Sequence, residues 1–205
     1  DLGREALQAY RASVSFVDAQ LGIVIDALDR VGLRDNTIVV FTSDHGYHRG
    51  EHGLWQKRSL FEESSRVPLV VAMPGGRTGV VAPQTVELVD VMPTLCDLAG
   101  VALPDGGDGR SLAPLVRAAA DEGAIWTARP AFTEVQHGRI RGISMRSGRW
   151  RYTVWNGGAA GRQAYDHHTD PHELVNLVDR PEHAAAVQAL DAEMRWFMPQ
   201  VSAEP

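Results

Sequence analysis

The sequence predicts an α/β fold in its first two thirds and a small antiparallel sheet with a terminal helix in its last third. Two apolar runs, Thr37–Thr42 and Val67–Ala72, follow an amphipathic segment at Tyr10–Val31. Helix, strand, loop and strand in this order are typical of α/β domains, where helices flank a mixed sheet. Beyond residue 128 the pattern changes to short alternating segments, which indicate antiparallel strands.

The first helix and the first strand have the clearest patterns. Along the helix, apolar residues recur at steps of three and four, and Gly32 ends it; these residues are Val14, Val17, Leu21, Val24 and Leu28. The run Thr37–Thr42 does not alternate, which predicts a strand covered on both faces, as in parallel sheets. Such a strand would lie inside a larger sheet.

Later elements follow from similar patterns. A helix is predicted over 88–99, with Pro93 in its first turn and with Gly100 and Pro104 ending it. Strands are predicted at 130–135, 140–145 and 149–155, with a tight turn at Ser147-Gly148. A last helix is predicted over 182–198, and its apolar stripe is expected in the core: Val187, Leu190, Met194 and Phe197.

Composition excludes several classes of protein. The chain has 205 residues, 44% of them hydrophobic, enough for one domain or for a part-domain plus a small one. Its net charge of −6 argues against a nucleic-acid surface. No apolar stretch has the length of a membrane helix, and no signal peptide is visible. A single cysteine, Cys96, excludes an internal disulfide, so the compartment remains open.

Candidate ligands follow the first strand directly. Asp44 and His45 come after the run Thr37–Thr42, and a polar, glycine-broken loop leads from them to Lys57. Ligands in α/β sheets bind at the carboxyl ends of strands. A carboxylate, an imidazole and a mobile ammonium suit a metal-assisted reaction on an anionic ester. The alternative is an ordinary turn with an Asx hydrogen bond.

The longer string of motifs resembles the sulfatase family of the alkaline phosphatase superfamily, and most of all iduronate sulfatase and its bacterial relatives. The resemblance covers nearly the whole chain. It rests on Thr42-Ser43-Asp44-His45-Gly46, Gly50-Glu51-His52-Gly53-Leu54-Trp55 with Lys57, Arg66-Val67-Pro68-Leu69, residues 86–95, Gly109-Arg110-Ser111-Leu112, residues 150–155 and residues 170–177.

The resemblance implies a division and a set of site residues. Residues 1–128 would be the carboxyl-terminal part of an alkaline-phosphatase-like catalytic domain, and residues 129–205 a small antiparallel α+β subdomain. Asp44 and His45 would bind a divalent metal, usually Ca²⁺, with Mg²⁺ or Mn²⁺ possible. Lys57 would contact sulfate oxygens, and His52 would line the pocket beside the sulfate. The alternative for His52 is a loop histidine bonded to backbone.

Two motifs of the sulfatase family are not in these residues. The C-x-P-S-R motif, whose cysteine becomes the formylglycine nucleophile, is missing, and so is an early pair of metal-binding aspartates. Cys96 lacks the following Pro-Ser-Arg and is expected to be a buried, inert thiol. The chain is therefore expected to be the carboxyl-terminal half of a longer enzyme, with the amino-terminal half as its partner. Alone it should be inactive, expose apolar surface and associate, with a homo-oligomer as one form of that association.

Three functions remain open at this point. The first is a sulfatase acting on a sulfated small molecule or saccharide, and the second is a phosphodiesterase or phosphonate monoester hydrolase of the same superfamily. The third is a non-catalytic fragment with an anion or metal contact. The segment His48-Arg49-Gly50-Glu51-His52 also spells the H-x-x-E-H motif of zinc peptidases. Because that motif works on a helix and glycines interrupt this segment, we expect no peptidase site.

Two polar groups are expected to have structural roles. Glu62 and Arg66 could form a charge pair that ties the site loop down. The stretch Asp170-Pro171 with Glu173 and Asn176 is typical of a turn, and we expect it to contribute to packing of the small subdomain.

Overall fold

The computed structural model describes residues 1–117 and 129–201 of the chain, with the backbone alone for 198–201. The chain divides into two units that interleave in sequence. The first contains Asp1–Lys57, Arg66–Pro83 and the described part of Leu88–Trp126, and the second contains Arg58–Ser65, Gln84–Glu87 and the described residues from 129 onward. The predicted domain boundary between residues 128 and 129 falls where the undescribed residues 118–128 end.

Five helices and six strands lie in the described residues. The helices are α1 (Leu2–Arg30), α2 (Glu62–Ser65), α3 (Val91–Ala99), α4 (Ala113–Arg117) and α5 (Ala184–Val201). The strands are β1 (Val39–Thr42), β2 (Leu69–Ala72), β3 (Ala131–His137), β4 (Ile140–Ser147), β5 (Trp150–Trp155) and β6 (Arg162–Asp166). Among the described residues, no helix is long and apolar enough to cross a membrane.

Helix α1 begins eight residues before its predicted start at Tyr10. The side chain of Asp1 caps it by accepting a hydrogen bond from the backbone N–H of Gly3 at 3.1 Å. The predicted end is confirmed, since the last helical residue is Arg30 and the chain turns at Gly32, where φ is +69°. No residue of α1 is buried within the described structure. Along its apolar stripe, Val14, Val17 and Val24 are exposed and Leu21 and Leu28 are half-buried.

The direction of the first strand corrects a prediction. Strand β1 pairs antiparallel with β2, and Thr42 lies opposite Leu69. None of the four β1 residues is fully buried, and Phe41 is 37% exposed. An apolar run specifies that both faces are hydrophobic, but the direction of its neighbour is set by the connection, and here a returning loop allows antiparallel pairing. In the described chain, β1 is thus not a strand buried between parallel neighbours.

Helix α3 confirms the prediction for 88–99 with a short 3₁₀ turn, Leu88–Asp90, at its start. Pro93 lies in the first helical turn, and Gly100 ends the helix with φ of +68°. The buried carboxylate of Asp90 accepts a hydrogen bond from the backbone N–H of Arg110 at 2.9 Å. Gly109 permits this approach, because a Cβ there would lie 1.9 Å from the carbonyl oxygen of Val89. Cys96, on the same helix, is half-buried rather than buried.

The second unit is an antiparallel meander in the order β3-β4-β5-β6. Its first three strands and the turn at Gly148, which has φ of +53°, were predicted. Strand β6 was missed. Helix α5 packs its stripe of Val187, Leu190 and Met194 against the sheet residues Ile143, Met145, Tyr152, Val154 and Ala164, which confirms the predicted core role of that stripe. The mixed α/β class with an antiparallel sheet and terminal helix is confirmed.

Candidate functional site

The end of β1 brings Asp44 and His45 together. Oδ2 of Asp44 lies 3.5 Å from Nε2 of His45. The Asp44 side chain is 85% exposed and that of His45 is 36% exposed. The hydroxyl of Ser43 donates a hydrogen bond to the carbonyl oxygen of His45 at 2.8 Å, which fixes the backbone where the strand ends. A carboxylate and an imidazole therefore present neighbouring donor atoms to solvent.

The hydrogen bond of the other ring nitrogen, Nδ1, determines whether Nε2 of His45 carries a hydrogen. Nδ1 lies 2.8 Å from the carbonyl oxygen of Gly46. Since a carbonyl can only accept, Nδ1 carries the hydrogen, and in the neutral ring Nε2 presents its lone pair beside the carboxylate of Asp44. Metal-binding histidines commonly have this arrangement, with the second nitrogen bonded to a backbone carbonyl. The pair fits a divalent cation as two of its ligands, fewer than a cation of this class requires.

The loop that follows, residues 46–57, is closed by its own backbone. The N–H of His48 donates to the carbonyl of Gln56 at 2.8 Å, and the N–H of Gly50 donates to that of Leu54 at 2.9 Å. Tyr47 donates its hydroxyl to the carbonyl of Trp55 at 3.1 Å. These bonds hold the two ends of the loop together, so its side chains have defined positions.

His48 and His52 pack against each other inside this loop. Their ring centroids are 5.7 Å apart, and the rings are nearly perpendicular. His48 is fully buried, and His52 has a positive φ of 54°, which is uncommon for a residue other than glycine. The segment forms a 3₁₀ turn at Glu51–Gly53 and no α-helix. The two imidazoles of H-x-x-E-H thus lack the helical placement of a zinc peptidase site, as the glycines predicted.

Glu51 of that motif is engaged by Arg49. Its carboxylate accepts hydrogen bonds from the backbone N–H of Arg49 at 2.5 Å and from the guanidinium at 3.1 Å. Burial raises the pKa of Glu51, but these hydrogen bonds and the positive charge of Arg49 outweigh it and leave the pKa below its usual value. Glu51 is therefore a structural anion of the loop.

Lys57 ends the loop with an exposed side chain. It is the sole lysine of the chain, where all other Lys and Arg positions are arginine. Among the described residues, none forms an ion pair with its ammonium. A compact ammonium and a guanidinium are not chemically interchangeable, and the role of Lys57 as a sulfate contact stays a prediction.

The second unit holds a charge cluster that the sequence did not reveal. Arg151 on β5 donates from Nε to Glu173 at 2.5 Å, from Nη1 to the hydroxyl of Ser144 at 3.0 Å and from Nη2 to Glu62. His167 lies 2.6 Å from the same oxygen of Glu173. Glu62 therefore bonds an arginine 89 residues away in the chain, a partner that the sequence did not predict, while its expected pairing with Arg66 stays a prediction.

The carboxylate of Glu173 is ionised in this setting. Burial raises its pKa, but the hydrogen bond from His167, the charge and hydrogen bond of Arg151 and the backbone N–H of Glu62 outweigh it, and its pKa is lowered. Glu62, His167 and Glu173 are also the group of three potential metal ligands that the described residues contain. The turn residue Asn176 has a packing role, since its side-chain oxygen accepts from the N–H groups of Ala164 and Val178.

Known proteins resemble the chain over most of its length. It is 38% identical over 181 residues to choline-sulfatase of Rhizobium meliloti (strain 1021). That alignment covers 87% of this chain and 34% of choline-sulfatase. It is also 38% identical over 202 residues to arylsulfatase K of Mus musculus. This second alignment covers 95% of this chain and 36% of arylsulfatase K. The chain thus spans about a third of the length of these relatives.

Solved structures agree with this likeness. The 2-O GAG sulfatase BT1596 superposes with a TM-score of 0.80 at 30% identity, over 91% of this chain and 41% of that one. Phosphonate monoester hydrolase of Agrobacterium radiobacter superposes with a TM-score of 0.78 at 30% identity, over 91% and 40%. Residues 3–101 match the family model named Sulfatase. The chain therefore carries a sulfatase-family domain of the alkaline phosphatase superfamily and is a homologue of sulfatases.

Proposed function

We propose that this chain is the carboxyl-terminal portion of an enzyme that hydrolyses sulfate monoesters. The observation that carries the proposal is the pair at the end of β1, where Nε2 of His45 presents its lone pair 3.5 Å from Oδ2 of Asp44. The sulfatase relatives at 38% identity support the choice of ester. A sulfated sugar or an aryl or alkyl sulfate is the substrate class, and placement near iduronate sulfatase is the finer form of the same proposal.

In this proposal each site residue has one task. Asp44 and His45 hold a divalent cation, Ca²⁺ in the first instance, which would polarise a sulfate oxygen when bound. The ammonium of Lys57 binds sulfate oxygens and offsets the negative charge that develops on them as the ester bond breaks. His52 lines the pocket, where its position is fixed by packing against His48. A formylglycine nucleophile would come from outside these residues.

The exposed apolar faces of the first unit support a partner segment. On α1, Val14 is 56% exposed, Phe16 65%, Val17 51% and Val24 59%, and on β2 Val70 is 55% exposed. Apolar surface of this extent on one unit indicates a covering partner. We assign that role to an amino-terminal sulfatase segment, which would also supply further metal ligands. Without it, the chain should be inactive and should associate with copies of itself.

A second ester has specific support. Phosphonate monoester hydrolase of Agrobacterium radiobacter has a TM-score of 0.78, against 0.80 for the 2-O GAG sulfatase. A cation bound by a carboxylate and an imidazole, together with the ammonium of Lys57, suits a phosphonate oxyanion as well as a sulfate. The alternative function is therefore phosphonate or phosphodiester hydrolysis at the same residues.

The test joins this chain to an amino-terminal sulfatase segment that carries formylglycine. Turnover of 4-nitrophenyl sulfate is compared with that of a 4-nitrophenyl phosphonate monoester, for the parent protein and for D44N. Asp35→Asn, an exposed aspartate in a nearby turn, is the matched control. We expect faster turnover of the sulfate, a loss of at least tenfold in D44N and no change in D35N. Full activity of D44N would overturn the assignment of Asp44, and faster turnover of the phosphonate would favour the alternative.

A further inference from the structure

The segment Arg58–Ser65 has an unusual place in the chain. It follows Lys57 directly and precedes Arg66, yet it belongs to the second unit. Its residues pack on the antiparallel sheet: Leu60 is 3% exposed, and the ring of Phe61 lies 6.0 Å from that of Tyr165. The guanidinium of Arg58 donates to the carbonyl oxygen of Gln136 on β3 at 2.6 Å. The chain is therefore attached to this sheet from the residue that follows Lys57.

The charge cluster attaches the middle of this segment. The Arg151 side chain, 3% exposed, donates to three different acceptors, Glu173, Ser144 and Glu62. Each of its nitrogens thus has its own partner, which only the planar fork of a guanidinium provides. Glu62, in α2, is the acceptor that belongs to Arg58–Ser65. Arg151 accordingly links β5 to the segment next to Lys57.

Glu173 completes the attachment from the other side. One of its oxygens accepts from Arg151 and lies 2.6 Å from Nε2 of His167, and the other accepts from the backbone N–H of Glu62 at 2.9 Å. Its side chain is fully buried. Its backbone has φ of +55°, a conformation that costs a residue other than glycine free energy. The fold retains glutamate there because its two acceptor oxygens serve groups from three separate parts of the chain.

The cluster is saturated with cations, which argues against a metal ion at Glu62, His167 and Glu173. Arg151 bonds the carboxylates of both Glu62 and Glu173. Nε of Arg146 lies 3.8 Å from Oε2 of Glu62. Two guanidinium groups therefore balance two carboxylates. A divalent cation would have to displace Arg151, which would leave a buried guanidinium without its partners. The arrangement is an ionic attachment, and its cation is the arginine.

We propose that Arg151 and Glu173 are positioning residues that hold Arg58–Ser65 on the sheet and thereby restrain Lys57, the residue directly before it. The role of Lys57 rests on the proposed function, whereas the attachment itself does not. The expected consequence is local: weakening the cluster should loosen the segment, raise the mobility of Lys57 and lower kcat more than it changes KM. A substrate-binding role would instead raise KM first.

The experiment compares buried and exposed pairs of the same chemistry in the complete protein that contains this chain. The test variants are R151K and E173Q. The matched controls are R141K and E134Q, because Arg141 and Glu134 form a two-bond pair at 2.6 and 2.8 Å that is about 40% exposed. Hydrogen exchange by mass spectrometry is read for peptides within 58–65 and within β4 and β5, and kcat and KM are measured with 4-nitrophenyl sulfate.

We expect exchange in 58–65 to accelerate at least tenfold in R151K and E173Q, with β4 and β5 unchanged and both controls like the parent. In E173Q an amide NH₂ replaces one acceptor oxygen, so one of the three donors loses its partner. We expect kcat to fall at least tenfold in both variants with KM within threefold. Unchanged exchange in 58–65, equal acceleration throughout the sheet, or unchanged kcat despite a loosened segment would each overturn the proposal. A parent protein without sulfatase activity would contradict the proposed function alone, since the exchange rates still decide the attachment.

Discussion

The replacement of Gly142 by alanine should destabilise the second unit measurably. Gly142 is buried in β4, opposite Trp155 of β5. A Cβ at this position would lie 2.5 and 2.6 Å from two ring carbons of Trp155 and 2.8 Å from Cδ1 of Leu60. Its φ is not in the left-handed region, so alanine adds no backbone strain there. The effect of the substitution is therefore steric.

The magnitude follows from these distances. Carbon atoms in contact prefer separations of about 3.5–4.0 Å, so the new methyl group would overlap three atoms by nearly 1 Å. Both the indole and Leu60 must move, and overpacking of this kind costs about 1–3 kcal/mol. For a chain of this length, each kcal/mol lowers the melting temperature by about 2–4 °C. Because Leu60 belongs to Arg58–Ser65, the substitution also pushes on the attached segment.

Thermal unfolding followed by circular dichroism measures this effect. The control is Gly22→Ala, which lies in the middle of α1 with no heavy atom within 4 Å of the added carbon. Alanine is the better helix former by up to about 1 kcal/mol, so the control should raise the melting temperature or leave it unchanged. A G142A protein as stable as the parent would refute the packing of Leu60 and Trp155 described above.

Three further predictions concern the second unit. Burial, with the hydrogen bond to Asp191, raises the pKa of Tyr152 from 10.0 to about 12. The protonated phenol therefore stabilises the folded state below pH 10, and this contribution to the free energy of unfolding is lost between pH 10 and 12. The melting temperature should fall over that range, and the fall should be smaller in Y152F. The pKa of Glu173 is lowered from 4.5, so its ionised carboxylate stabilises the folded state above pH 4.5 and loses this effect as pH falls below that value. The loss of thermal stability in acid should therefore be smaller in E173Q than in the parent. Leu190 is 5% exposed in the core, and its replacement by alanine should lower the free energy of unfolding by about 2–5 kcal/mol. The control Q188A, on the exposed face of the same helix, should change it by less than about 0.5 kcal/mol.

Local signals in the sequence predicted the local structure well. Strands β4 and β5 and the turn at Gly148 follow from alternation and from one glycine with positive φ. Strand β6 was missed because Ala164 and Tyr165, its two apolar residues, are adjacent in sequence and do not alternate. The early start of α1 was missed because the regular apolar repeat begins only at Val14, and the Asp1 cap alone marks the first turn.

Pairings between distant residues could not be predicted in the same way. The run at β1 specifies apolar faces but not the direction of its partner, so its antiparallel pairing with β2 came only from the structure. The bond between Glu62 and Arg151 joins residues 89 positions apart. Such a pair is set by the fold as a whole. The closeness of Asp44 and His45, by contrast, could be predicted because both follow the same strand end, and their role as metal ligands stays a prediction.

The central claim is that Lys57 acts on a sulfate monoester, and one measurement tests it most directly. The kcat for 4-nitrophenyl sulfate is compared between the parent protein, assembled with an amino-terminal sulfatase segment, and its K57A variant. The account predicts a loss of about 10²–10³, the size expected when one group that stabilises developing charge is removed, with unchanged thermal stability because Lys57 is exposed. Parental turnover in K57A would contradict the account.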